Sequence, residues 1–264
     1  MTVPSESVLD LFAVPESGRP LAGSPGSYVA GDLVLSRLPA GDDADRSWLA
    51  PAIARTAVKL DEDPRRVPGA LRLAMPVPAR DGSIVVDGWE AHRFEAGTSV
   101  VQDPALVRAA GRLLHAHLAV DVPMPRTVRL RDLTSPVRGE PVAEPRLEEL
   151  LTRLEKAIEA APAPPERRAQ LVHSCLPGRV LMDQDGSPVV LQVVAAWDVP
   201  ARAEARWLLQ GVIAGQAPAG WHASLSDVQR RRALEVLGPL AVDDMQERPE
   251  RTGEWLTVAD LLGA

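Results

Sequence analysis

The residues able to do chemistry gather in one stretch, 171–197, which reads LVHSCLPGRVLMDQDGSPVVLQVVAAW. His173 and Cys175 stand two apart there, and an imidazole beside a thiol makes a nucleophilic thiolate if the two side chains turn toward each other. Arg179 follows; a guanidinium has only donors, so it suits an anion and opposes a metal ion. Val180–Met182 and the apolar run 189–194 flank Asp183-Gln184-Asp185-Gly186-Ser187-Pro188, and an Asp-Gly step between such runs is a strong hairpin signal. Asp183 and Asp185 are therefore turn residues, away from the strand ends. Gln192, in the second run, and Asp198, just beyond it, complete the set, and Asp198 is the carboxylate best placed to serve a metal. Cys175 is the single cysteine, which excludes an internal disulfide and a zinc cluster of cysteines. A lone thiol beside Leu176 and Pro177 is expected to be partly buried and unreactive.

These groups need elements to hold them. Ser5 or Ser7 caps a short helix through Phe12, stopped by Pro15. Gly23-Ser24-Pro25-Gly26 forms a turn before the strand 32–35, which continues into Ser36 and Arg37. The acidic run Asp42-Asp43-Ala44-Asp45 opens a helix over residues 46–60 that carries Pro51. Residues 71–77 and 84–86 read as strands around the turn 79–82, with residues 88–94 continuing toward Glu95-Ala96-Gly97. Asp103 caps a helix over residues 104–119, on which His115 and His117 do not share a face and so offer no metal site. A Pro- and Arg-rich connection over 121–145 leads to a helix over 145–160, a breaker at 161–165 and a shorter helix through Gln170. Residues 201–213 and 227–240 are amphipathic helices, and a last helical turn covers 255–262. Arg230-Arg231-Arg232 reads as a solvated helix face.

Composition narrows the class. With 264 residues, 45% hydrophobic and 25% charged, the chain can fold as one two-lobed unit with an adequate core. Lysine occurs only at 59 and 156 among 29 basic residues, and with abundant Ala, Pro and Val this points to a high-GC bacterial source. A net charge of −7 and a pI of about 5.3 speak against a nucleic-acid partner, which calls for a basic stripe. The N-terminus has no basic, apolar leader pattern and no run of 18 apolar residues occurs, so no membrane partner and a cytoplasmic location are expected.

The order strand end, His-x-x-Leu loop, glycine, strand, turn, strand resembles the catalytic loop and metal-binding segment of aminoglycoside phosphotransferases, choline kinases and their protein-kinase-like relatives. There the loop reads roughly His-Gly-Asp-Leu followed by Gly-Asn-Val-Leu, and an Asp ends the next strand. Here the same places read His173-Ser174-Cys175-Leu176 and Gly178-Arg179-Val180-Leu181. The likeness extends to residues 7–12 and 31–35, Trp48-Leu49-Ala50, Val86-Asp87-Gly88-Trp89, residues 110–115 and Trp197, and is similar to a small actinobacterial branch of that superfamily.

The resemblance implies an α+β, two-lobed, protein-kinase-like (aminoglycoside phosphotransferase-like) fold. Its β-rich N-terminal lobe would cover residues 1–95, and a mainly helical C-terminal lobe, 96–264, would carry the hairpin 171–197. In that family one Asp orients the attacking hydroxyl, an Asn and a second Asp hold Mg2+, and a strand Lys paired to a helix Glu binds phosphate. Those positions fall at Cys175, Arg179, Gln192 and Ser36, and the helix 46–60 lacks a Glu in its middle, so both ends of the Lys–Glu pair are expected to be missing. None of the replacements is a fit ligand for Mg2+. The implied protein is a catalytically inactive phosphotransferase-like protein, a pseudokinase, with no catalytic residue, metal or cofactor. It would be a binding or regulatory module whose unknown protein partner or small-molecule ligand sits in the inter-lobe cleft near His173, Cys175, Arg179, Gln192 and Asp198. Arg179 is expected to pair with an acidic neighbour such as Asp198 or to hold a metal-free anion. Two other readings stand beside this one: altered chemistry in the same cleft through Cys175 and His173, and a residual small-molecule phosphotransferase using Asp198.

Overall fold

The computed structural model describes residues 3–15, 18–38, 46–123, 145–163, 169–215, 217 and 219–264. The acidic run 42–45, most of the connection 121–145 and most of the short helix expected before Gln170 lie outside these residues; Gln170 itself begins a strand. In chain order the elements are α1 (Glu6–Leu11), β1 (Arg19–Pro20), β2 (Ser27–Ala30), β3 (Leu33–Arg37), α2 (Arg46–Asp61), β4 (Arg72–Leu73), β5 (Pro76–Val77), β6 (Val85–Val86), β7 (Trp89–Arg93), β8 (Ser99–Val100) and α3 (Pro104–Asp121). Then follow α4 (Pro145–Ala160), β9 (Gln170–His173), β10 (Val180–Met182), β11 (Pro188–Val190), β12 (Ala195–Asp198), α5 (Pro200–Ile213), α6 (Asp227–Glu247) and α7 (Thr252–Leu262). None of the described helices is long and apolar enough to cross a membrane.

Two compact units result, one of residues 1–124 with 171–196, the other of 125–170 with 197–264. The first holds an antiparallel sheet in the order β1-β2-β3-β7-β5, with β6 also on β7. A second sheet runs β4-β11-β10-β8, so the expected hairpin forms with Val180 opposite Val190 and Met182 opposite Pro188. The hairpin strands take β8 and β4 as neighbours, and Leu181, Val189 and Leu191 share one buried cluster with Val29 and Val34 of the first sheet. The second strand is also shorter than the run 189–194: it stops at Val190, leaving Gln192 and Val193 outside the ladder. β9 and β12 pair separately as a two-stranded sheet.

Capping follows the local sequence. Ser5 accepts from Val8 N at the start of α1, and Asp103 accepts from Ala105 N with Pro104 in the first turn of α3. In the second unit Leu147, Leu150, Leu151 and Leu154 form a helical stripe on α4 that packs with Leu209, Trp221, Leu237 and Trp255. A Ser226–Gln229 capping box opens α6. Arg231 and Arg232 on that helix are not the solvated face the sequence suggested. Both are largely buried; Arg231 donates to the carbonyls of Ile158 and Ala161 at the end of α4, and both bond Glu235. A helix C-terminus offers unpaired carbonyls and a negative dipole end, which is what a guanidinium satisfies best.

Candidate functional site

His173 closes β9 and is fully buried. Its Nδ1 accepts the Cys175 backbone N–H at 3.2 Å, and its own backbone N–H donates to Nε2 of His115 at 3.1 Å. Both rings thus act as acceptors, which requires them to be neutral at the bonded nitrogen. Burial holds His115 down to about 4, and His173 lies well below the usual imidazole range, through burial first and then the Arg179 and His115 charges nearby. The nitrogen of His173 nearest Cys175 is therefore occupied by an amide and cannot take the thiol proton. Cys175 is half-buried, and its Sγ instead faces a cation: Nη1 of Arg179 donates to Cys175 O and to Sγ, each at 3.2 Å.

Above this loop sits the Gly23–Gly26 turn. Both glycines have positive φ, +81° and +79°, which a non-glycine side chain would strain. A methyl group at Gly178 would lie 3.0 Å from the Gly23 carbonyl oxygen, so turn and loop are in direct contact. The turn is also tied back to the sheet. Ser24 Oγ donates to Ser27 Oγ at 2.9 Å, and Ser27 Oγ lies 3.0 Å from Ser36 Oγ, a chain of three buried hydroxyls across the Ser27–Ser36 register pair.

Gln192 is fully buried and its Nε2 donates to Oε2 of Glu90 at 2.8 Å. The other oxygen of Glu90 meets Nε of Arg46 at 3.0 Å, and Nη1 of Arg46 reaches the Val193 carbonyl at 3.1 Å. Glu90 lies on β7 directly across from Ser36 on β3, while Arg46 begins α2. With His92 and Val193 the pair lines a void of about 10 Å³, room for no more than a single water. Burial, and then the Arg46 charge, hold His92 down to about 3.

The two remaining carboxylate candidates have structural partners. Asp183 accepts from the backbone N–H groups of Asp185 and Ser187 and pairs with Arg72, a closed turn. Asp198, in the second unit, accepts from Val199 N and pairs with Arg202; burial pushes its carboxyl up, against the opposing Arg202, Arg206 and Arg232 charges.

Comparison with protein-family models finds no match, and neither does comparison with curated protein sequences. Solved structures do match. Choline kinase LicA from Streptococcus pneumoniae aligns over 98% of this chain and 96% of its own with a TM-score of 0.57 at 10% identity. A choline/ethanolamine kinase family protein from Mesorhizobium loti aligns over 97% and 93%, with 0.55 at 14%. AMP-bound spectinomycin phosphotransferase APH(9)-Ia aligns over 100% and 99%, with 0.54 at 10%. The fold is that of the choline kinases and aminoglycoside phosphotransferases. At such identities the likeness is one of backbone, and chemistry has to be read from side chains.

Within this phosphotransferase fold Cys175, Arg179 and His173 come together on one loop, and Ser36 joins the serine chain next to the loop's covering turn. Gln192 belongs to a different cluster, with Glu90 and Arg46. Ser36 and the middle of α2 carry no Lys–Glu pair; a different buried pair stands nearby, with the cation, Arg46, on the helix and the acid, Glu90, on the strand. One signal for it was available. Trp89-Glu90-Ala91-His92 is a strand with no solvent face, and a carboxylate held there demands a buried cation.

Proposed function

We propose that this chain is a catalytically inactive phosphotransferase-like protein, a pseudokinase of a degenerate actinobacterial branch, that works in the cytoplasm as a binding or regulatory module for a protein or a small molecule. One observation carries this reading: the residue at the metal-Asp position, Gln192, is a buried neutral amide whose donor is engaged by Glu90, with the Arg46 guanidinium on the far oxygen of the same carboxylate. A divalent cation entering there would have to displace Arg46 from Glu90 and would face its charge. At about 4 Å and an effective dielectric of 20, like charges repel by roughly 4 kcal/mol per unit of charge product. Arg179, at the Asn position, adds a second fixed positive charge beside Cys175 in place of a metal ligand. Calorimetric titration with ATP, with and without Mg2+, tests the proposal. No Mg2+-enhanced binding is expected; micromolar Mg2+-dependent binding that Asp198→Ala abolishes would return the protein to the active phosphotransferases.

A further inference from the structure

We propose that the outward face of helix α3 pairs with the same face of a second copy of this chain, antiparallel, through a seam of Ala109, Leu113, Ala116 and Val120. The helix belongs to the first unit and contributes no residue to the loop 175–179, so the pairing goes beyond the functional reading above.

Helix α3 is apolar on two sides. Val107, Ala110, Leu114 and Leu118 are buried. The opposite arc, about 140° wide at 3.6 residues per turn, presents Leu106, Ala109, Leu113, Ala116 and Val120, all of them exposed. Its large side chains are among the most accessible apolar ones in the molecule, Leu106 at 47%, Leu113 at 50% and Val120 at 76%. Arg112 is the one charged residue of α3 on that arc, while Arg108 and His117, both partly exposed, mark its two borders. A surface helix turns charged and polar residues outward, and a helix apolar all round is one that is covered. α3 has the sequence of a helix covered on both sides.

The spacing says what covers it. Positions 106, 109, 113, 116 and 120 alternate steps of three and four, the a and d places of a coiled-coil seam, with a large residue at every a and alanine at every d. Two copies laid parallel would set a on a and d on d, so leucine would crowd leucine, alanine would face alanine across a gap, and Arg112 would stand beside its counterpart. Antiparallel, a meets d, and each layer joins one large and one small side chain: Ala109 on Val120 of the second copy, Leu113 on Ala116 of the second copy, and the same two again by symmetry. A two-fold interface requires this self-complementarity, residue i on j and j on i. Charge then selects the register. In this one the two Arg112 residues are offset by about 8 Å along the axis, whereas the other four-layer register, with Leu106 on Ala116 and Ala109 on Leu113, brings them to about 3 Å. The like charges make that second register the costlier one. Packing in the first unit already holds α3 as a helix, so pairing spends nothing on ordering it.

Sedimentation equilibrium of the full chain reads the pairing. Four layers on one helix bury less than the roughly 800 Å² per partner of a standard stable interface, so the mass is expected to climb from 28.3 kDa toward twice that value over about 10–500 μM. Leu113→Gln alters two of the four layers and should weaken the dimer by roughly tenfold or more. Leu106→Gln changes a leucine of nearly equal exposure that lies outside the four layers, and should leave the dimer within about twofold of the unsubstituted chain. Both substitutions fall on exposed positions, and circular dichroism with urea unfolding verifies that each variant is folded. In a Cys175→Ser background, Ala109→Cys chains mixed with Val120→Cys chains should form a disulfide under mild oxidation, and neither should form one with itself. Four results would overturn the proposal: a mass that stays at 28.3 kDa, which leaves the face to a different partner or to none; a Leu113→Gln dimer as tight as the unsubstituted one; Leu106→Gln as damaging as Leu113→Gln; or either cysteine variant linking to itself. Neither nucleotide nor divalent metal enters this experiment, so its failure leaves the inactive reading standing, and Mg2+-dependent ATP binding would remove that reading without touching the seam.

Discussion

Lowering the pH should unfold this protein in a window set by its buried histidines. His92, His115 and His173 are all buried in the first unit, with His92 held down to about 3, His115 to about 4 and His173 well below the ordinary 6.5. The unfolded chain takes up protons on all three as the pH drops past 6.5, while the folded chain does not. The sign follows: their contribution is present in full above about pH 6.5 and is lost progressively from there down toward the folded values. Each pH unit below 6.5 costs about 1.4 kcal/mol per histidine, so at pH 5 the loss is about 2 kcal/mol each for His92 and His115, about 4 kcal/mol together, with His173 adding in the same direction. Domains of this size have roughly 5–15 kcal/mol in total, so the effect is large enough to see directly. Asp198, whose carboxyl is raised by burial, works in the opposite sense, but it is one group against three. Urea unfolding at pH 7.5, 6 and 5 measures the slope, and His92→Leu should remove about 2 kcal/mol of the loss at pH 5 whatever it does to stability at pH 7.5. A midpoint unchanged between pH 7.5 and 5 in the unsubstituted protein would refute the argument, because three neutral buried imidazoles cannot leave the pH dependence flat.

Other substitutions probe the remaining contacts. Arg46→Met strands the buried Glu90 carboxylate and should cost about 3–5 kcal/mol in urea unfolding, most of it recovered by adding Glu90→Gln. Arg231→Met leaves the Ile158 and Ala161 carbonyls without their guanidinium and should lower stability by about 1.5–3 kcal/mol, with faster amide exchange confined to the last turn of α4. Cys175 should react slowly with a neutral maleimide at neutral pH, because His173 Nδ1 is held by an amide; alkylation as fast as that of an unfolded control would revive the thiol-chemistry reading.

The parts of the fold that were legible in the sequence are those fixed by neighbours along the chain. α4 runs over the residues its leucine spacing marks, Asp103 caps α3, and the Asp-Gly turn closes β10 on β11. Such signals act over a few residues, so tertiary packing had little to overrule. The apolar run 189–194 matches a strand locally, yet β11 ends at Val190, and Gln192 beyond it bonds a carboxylate 102 residues earlier, a contact no local pattern announces.

Contacts of that span explain what the sequence withheld. Charge positions inherited from a family pattern ask whether a particular residue stands at a particular place, and at Ser36 and in the middle of α2 the answer is no. Physical chemistry asks something less specific, that any charge buried at this depth be balanced, and the chain meets that demand with Arg46 and Glu90 from other positions. The balance is struck without a vacant coordination site: both oxygens of Glu90 are engaged, by Gln192 and by Arg46. A phosphotransferase keeps its Lys and Asp available because ATP and Mg2+ complete them during turnover. Here both oxygens of Glu90 are met from within the chain, by Arg46 and Gln192, and that closed balance is what the proposed inactive reading rests on.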